Sequence, residues 1–321
     1  LGGPRRPWPG VLGRALEEHP LPDAQPPSSL SVAELVRWTR QPLRMLGRYR
    51  LGLPYDGGGD EVLDEEPLSV EDLERWQFGE LLSRRWLQGK RDINTTEATL
   101  RARAQLPPAS PGRAALEAQL GTVAWVGELL PPGGAIERHA VRLRAGETEL
   151  VGSVETVGGE VVDFAVDSPD GARRLLRTWV AMLALAAASE RPVRGRVIGM
   201  GTRKPAMRAL VTPSEPGRCL QGLLSDWQRA RRGACLRLEK TSRAVAAAYL
   251  AGGNDPVDEA QKAAWRAWSG GQRGGESADR GLRTLFGDAA PFVDEAGSLR
   301  PAFIDEAVAL WKPILAAMEG P

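Results

Sequence analysis

The sequence predicts an α/β fold, a central mixed sheet with helical sections before and after it. Two observations carry that expectation. From Glu149 to Ser189 the chain reads as strand, tight turn, strand, short loop and long apolar helix. Val151, Ser153, Glu155 and Val157 share one face of the first strand, Gly158-Gly159 closes the turn, and Val161 to Val166 is rich in β-formers. Leu175, Leu176, Trp179, Val180, Leu183 and Ala187 then recur at helical spacing. The second observation is a change of period along the chain. It is helical from 28 to 135, dominated by strands from 136 to 215, and helical again from 216 to 321.

The elements follow in order. Residues 1–27 are dense in Pro and Gly and read as a linker or extended arm, helical only over Val11 to Glu18. Ser31 and Glu34 form a capping-box pair ahead of Leu35, Val36 and Trp38. Gln41-Pro42 interrupts that helix, and Leu43 to Tyr49 resumes it. Ser69 caps a helix with Asp72 at its third position and Leu73, Trp76, Leu81 and Trp86 as anchors. Glu97 to Ala104 is a short helix, 106–112 (LPPASPG) a turn, and Ala114 to Leu130 an amphipathic helix. His139 to Arg144, Thr148 to Val157 and Val161 to Val166 form a meander, and a helix from Gly171 to Ala188 packs on it. Arg194 to Ile198 and Ala206 to Val211 are two more strands, whose place in the sheet the sequence leaves open. Helices are expected over Cys219 to Arg232, Thr241 to Leu250, Pro256 to Ser269 and Phe303 to Met318, the last kinked or ended near Pro313. The stretch 269–281 (SGGQRGGESADRG) reads as an exposed, mobile loop.

With 321 residues and 42% apolar content, the chain can build one large or two ordinary domains. It opens on Leu1 with no signal peptide or apolar run of membrane-spanning length, which suggests an excised piece or a missing start. Cys219 and Cys235 make neither a disulfide framework nor a structural zinc site, so an intracellular, cytoplasmic protein is expected, with no membrane partner. Neither GxxxxGK[ST] nor GxGxxG occurs, so no nucleotide is expected to bind this chain itself. The net charge of +1 conceals segregation. Residues 56–80 carry ten acids against one base, and 191–250 carry thirteen bases against three acids. Nucleic-acid affinity comes mostly from phosphate contacts, and Arg203, Lys204, Arg208, Lys240 and Arg243 are the candidates for them. A solvated charged face and a surface for an acidic protein are the competing readings of the same stretch.

The hairpin invites a catalytic reading as well. A metal-dependent nuclease of this layout needs one acid on the first strand, then acid-x-Lys on the second, so that two carboxylates hold Mg²⁺ and a lysine offsets charge on the phosphorane. Glu155 and Asp163 fit the acids, with Glu137 as a possible third ligand, but Ala165 occupies the lysine position. No other Lys or Arg falls on that face of the strand. The expectation is therefore a degenerate site: no catalytic residue, no metal and no cofactor in this chain, with Glu155 and Asp163 as surface or supporting polar groups. His139 reads as a strand-surface residue and the two cysteines as buried thiols. Ser153 does not sit in a nucleophile elbow.

Several blocks together carry a resemblance: 29–56 (SLSVAELVRWTRQPLRMLGRYRLGLPYD), 64–82 (DEEPLSVEDLERWQFGELL), 106–112, the hairpin about Gly152 with its Trp-containing helix, and 239–252 (EKTSRAVAAAYLAG). They resemble the C-terminal domain of RecC, the gamma subunit of the RecBCD helicase–nuclease exodeoxyribonuclease V, over about residues 28–321. The resemblance implies a restriction-endonuclease-like PD-(D/E)XK core that has lost its catalytic residues, flanked by helical segments. Ala165 in place of the lysine agrees with that, and Thr178 to Ala186 lacks the glutamine–tyrosine helix motif. Gln41-Pro42 stands where related AddB-type nucleases carry a Cys-Pro serving an iron–sulfur cluster. The retention of both Glu155 and Asp163 departs from a fully dismantled site. The implied role is non-catalytic: contacting double-stranded and forked DNA, helping to split the strands, and packing on the RecB and RecD subunits, where Mg²⁺ and ATP act. An active Mg²⁺-dependent nuclease and a pure protein-interaction domain are the alternatives.

Overall fold

A computed structural model describes residues 21–22, 27–53, 72–102, 106, 109–132, 134–145, 148–270 and 275–318. The front of the chain enters the fold through a strand the periodicity does not reveal. Strand β1 (Ser29–Ser31) lies parallel to β3 (Thr148–Val157), which pairs antiparallel with β2 (Ile136–Ala145). Three residues are too few to display a period of two. The capping box then starts α1 (Val32–Arg40): the Ser31 Oγ accepts from the Glu34 amide, and Glu34 accepts from the Ser31 amide. Gln41 breaks the helix as expected, and α2 (Pro42–Arg50) follows.

Helix α3 (Asp72–Leu87) is present, whereas its expected cap Ser69 and the side chains of Leu73 and Trp76 lie outside the described residues, as does the expected helix over 11–18. The next two helices start earlier than expected. Helix α4 (Ile93–Ala102) begins earlier because the Asp92 carboxylate accepts from the amides of Asn94 and Thr95. Helix α5 (Ala109–Gly127) absorbs the second half of the LPPASPG stretch, with Pro111 in its first turn, where a missing N–H costs nothing.

Strand β4 (Val161–Phe164) is joined to β3 through the Gly158-Gly159 turn, both glycines at positive φ, and a bridge between Val157 and Glu160. Helix α6 (Ala172–Ser189) follows and returns the chain to β5 (Arg194–Met200), parallel to β4. Strand β6 (Pro205–Val211) closes the second sheet antiparallel to β5. The two sheets have the orders β1-β3-β2 and β4-β5-β6. Alternate residues of β4 and β5 feed two cores. Val161 and Val197 face α6, where Trp179, Val180 and Leu183 are buried, while Phe164 and Ile198 face α3 and α5 with Phe78, Leu82, Leu116 and Val123.

The tail supplies α7 (Pro216–Arg231), α8 (Glu239–Ala251), α9 (Pro256–Ser269), a 3-10 turn (Glu276–Ala278), α10 (Arg280–Phe286) and α11 (Pro301–Ala317). Here the expectation of an exposed loop over 269–281 is corrected for residues 275–281. Glu276 accepts from the Lys240 and Thr241 amides and the Thr241 hydroxyl, capping α8 from a distance, and Asp279 caps α10. Helix α11 runs through Pro313 to Ala317 and does not end there. Among the described residues, no helix is long and apolar enough to cross a membrane.

Candidate functional site

The two hairpin carboxylates do not meet. Val157–Glu160 is the one bridge between β3 and β4 among the described residues; β4 pairs with β5 instead, so the expected meander is divided between two sheets, with Glu155 in one and Asp163 in the other. Glu155 projects to solvent and pairs with its cross-strand neighbour Arg138 at 2.6 Å, the two side chains 48% and 70% exposed. Asp163 turns inward beneath α6 and is 3% exposed.

What surrounds Asp163 is a cationic clamp from the next helix. Arg174, itself 3% exposed, donates from Nε to the Asp163 carboxylate at 2.9 Å and from Nη1 to that of Asp167 at 2.7 Å. Its Nη2 donates to the main-chain carbonyls of Asp163 and Ile198, so one guanidinium ties β4, the loop after it and β5 together. Arg177, one turn on, takes the second Asp163 oxygen at 2.6 Å. Burial would push the Asp163 carboxyl up, but Arg177 and Arg174 outweigh it and hold the group below its ordinary value. Both carboxylate oxygens are thus committed to guanidinium groups. Ala165, at the lysine position, is buried. Among the described residues no cluster of three His, Cys, Asp or Glu side chains could hold a metal ion.

Sequence reasoning sought the cation on the strand and missed Arg174 and Arg177 on the helix. A signal was there. Three arginines (173, 174 and 177) open an otherwise apolar helix, at the end where the helix dipole disfavours positive charge. Such placement calls for a buried acid to meet it.

The phosphate candidates separate into two groups. Arg203 and Lys204 are exposed on the β5–β6 turn, closed by a Gly201 N–H to Lys204 carbonyl bond, and neither has an ion-pair partner among the described residues. Arg208 and Arg243 converge on Asp170, a residue not singled out from sequence. Arg208 grips it bidentately, Nε and Nη2 at 2.7 and 3.0 Å, and Arg243 Nη2 stands 3.9 Å away. Burial holds the Arg243 guanidinium below its ordinary value, with Asp170 opposing and Arg208 reinforcing that direction. Lys240 lies one turn before Arg243 on α8, its side chain exposed.

The remaining candidates are quieter. His139 Nε2 lies 2.8 Å from the Thr156 hydroxyl on the neighbouring strand. Cys235 is buried beside Arg237 Nε at 3.1 Å, and Cys219 is half-buried. A cleft of about 840 Å³ opens elsewhere, between the C-terminal ends of α3 and α5 and the start of β2. There Arg91 lies over the Trp86 ring at 4.4 Å, and Glu128 is the one carboxylate among the described lining residues.

Comparison with known proteins bears on these features. The chain is 29% identical over 251 residues to the RecBCD enzyme subunit RecC of Mycolicibacterium smegmatis, a match that takes in 75% of this chain and 22% of that protein. The chain therefore spans about a fifth of the length of the curated relative it matches. The family model for the RecC C-terminal domain matches residues 27–250, from β1 through α8, including the hairpin, the Asp163 clamp and all five phosphate candidates. The chain belongs to the RecC C-terminal domain family.

Proposed function

We propose that this chain is a non-catalytic DNA-contacting and scaffolding domain of a RecBCD-type complex, with a degenerate restriction-endonuclease-like PD-(D/E)XK core. The observation that carries the reading is the fate of Asp163. The carboxylate that a working nuclease would offer to Mg²⁺ is buried and bound by Arg174 and Arg177, while Glu155 is exposed and paired with Arg138. A metal ion there would have to displace two guanidinium groups from Asp163, one of which also holds Asp167. The path from β2 through β3, β4 and α6 to a parallel β5 supports descent from such a core. In this reading the cations at 203, 204, 208, 240 and 243 meet DNA backbone at the fork, RecB and RecD pack on other surfaces, and Mg²⁺ and ATP act in those subunits. Fluorescence anisotropy on blunt and forked duplexes, at roughly 50 and 200 mM salt, tests it. The expected result is weak, steeply salt-dependent binding with no Mg²⁺-dependent cleavage. Absence of binding at both salt concentrations would remove the direct DNA role, and Mg²⁺-dependent cleavage that is lost in Glu155→Gln would restore the nuclease reading.

A further inference from the structure

We infer that Asp170 is an internal stand-in for a DNA phosphate: it fills a phosphodiester site made by Arg208 and Arg243, and duplex DNA binds there by displacing it. The inference rests on the DNA-contacting reading above and adds an occupied, self-competing site to it. Two guanidinium groups here share one carboxylate, which leaves the cluster a positive charge in excess. The fork of Arg208 on the two Asp170 oxygens is the geometry in which arginine also takes the two free oxygens of a phosphodiester. Arg243 is incompletely satisfied, its Nη2 3.9 Å from Asp170 and its Nε buried with no hydrogen-bond partner among the described residues. A phosphate is larger than a carboxylate and carries an oxygen that can reach the second guanidinium.

The pairing is also accessible to exchange. Asp170, Arg208 and Arg243 are 40%, 31% and 30% exposed, where the Arg174–Asp163 pair is 3% exposed on both sides. A solvated ion pair is weak and readily replaced, and a buried one is not. The local backbone favours an anion as well. Asp170 immediately precedes α6, whose N-cap Gly171 offers no side-chain cap, so the positive end of the helix faces the same place. Lys240 on α8 adds a cation one turn from Arg243.

The test is an anisotropy titration of the whole chain with a fluorescein-labelled duplex across a salt series, with circular dichroism confirming that each variant is folded. Asp170→Asn is expected to tighten binding about threefold to tenfold and to steepen the log K against log salt slope by about 0.9, the increment for one added phosphate contact. Asp170→Asn combined with Arg208→Ala loses that gain. Glu155→Gln removes an equal charge from an exposed pair with Arg138, outside the Arg208–Arg243 cluster, and shifts affinity less than about twofold, as a screened charge should. An unchanged slope in Asp170→Asn, a gain that survives without Arg208, or an equal gain in Glu155→Gln would each overturn the proposal. If the wild-type chain binds and Asp170→Asn matches it, the DNA role stands and the stand-in role falls. If neither binds at any salt, the DNA reading fails and this one with it.

Discussion

At the scale of single residues, the two hairpin acids differ by environment and not by chemistry. Glu155 pairs with Arg138 in water, where such a pair contributes about 0–1 kcal/mol, so Glu155→Gln should leave urea denaturation nearly unmoved. Removing one partner of a buried pair strands the other, and Asp163→Asn should cost about 3–5 kcal/mol by leaving the buried Arg174 with only the part-exposed Asp167 as countercharge. A loss below about 1 kcal/mol would show that the clamp does not hold the fold. The pH dependence follows from the same asymmetry. Asp163 is held below its ordinary value of 3.8, so its contribution is complete above that value and fades as the pH falls through the lower folded value. Asp163→Asn should therefore flatten the acid limb of the stability–pH curve, measured by urea midpoints from neutrality down through that range. From sequence, Asp163 was legible as a strand acid but not as half of a buried pair, because its partners sit on the following helix. Position 163 alone does not say which face it turns to.

At the scale of elements, close approach decides which glycines matter. A Cβ on Gly199 of β5 would lie 1.9 Å from the Asp167 carbonyl and 2.6 Å from Arg174 Nη1, both fixed by the clamp. A Cβ on Gly195 would meet the Met182 sulfur at 2.3 Å and the Thr178 methyl at 2.9 Å, side-chain atoms that can give more readily than the backbone carbonyl at Gly199. Gly199→Ala should accordingly destabilise by about 1–3 kcal/mol, and Gly195→Ala by less, in thermal or urea melts. Equal costs would mean that the Asp167 loop yields as easily as Met182. Helix α8 poses a parallel case, since Leu238 at its N-cap has no side chain to cap with and Glu276 does so from 36 residues away in sequence. Glu276→Ala should cost about 1 kcal/mol, typical of a lost cap. The long amphipathic helices and the hairpin were legible because their periods are sustained and their caps are local, as at Ser31 and Glu34. The 3-10 turn and α10 were not, since a Gly- and Ser-rich stretch looks like a loop until a remote helix end needs its carboxylate. Strand β1 escaped for want of length.

At the scale of the whole molecule, one sheet serves two cores. Neighbouring residues of β4 and β5 point alternately to the α6 side, with Val161 and Val197, and to the α3–α5 side, with Phe164 and Ile198. Neither core can lose its sheet without exposing the other, so the two are expected to unfold together. Sequence placed a helical section before the sheet but could not show that α3 and α5 cover its second face, because an amphipathic stripe names no partner. Calorimetry on two cavity variants separates the possibilities. Trp179 and Leu116 are 1% and 0% exposed, one in each core, and their truncation to alanine should cost about 3–5 and 2–5 kcal/mol respectively. If the shared sheet couples the cores, each variant lowers the temperature of one transition whose calorimetric and van't Hoff enthalpies agree. If the α3–α5 layer is an independent unit, Leu116→Ala instead splits off an early, small transition and leaves the larger one where it was. The coupled outcome is the one the geometry favours, since the β4–β5 ladder from Val161–Gly195 to Phe164–Ile198 carries both faces in the same four residue pairs.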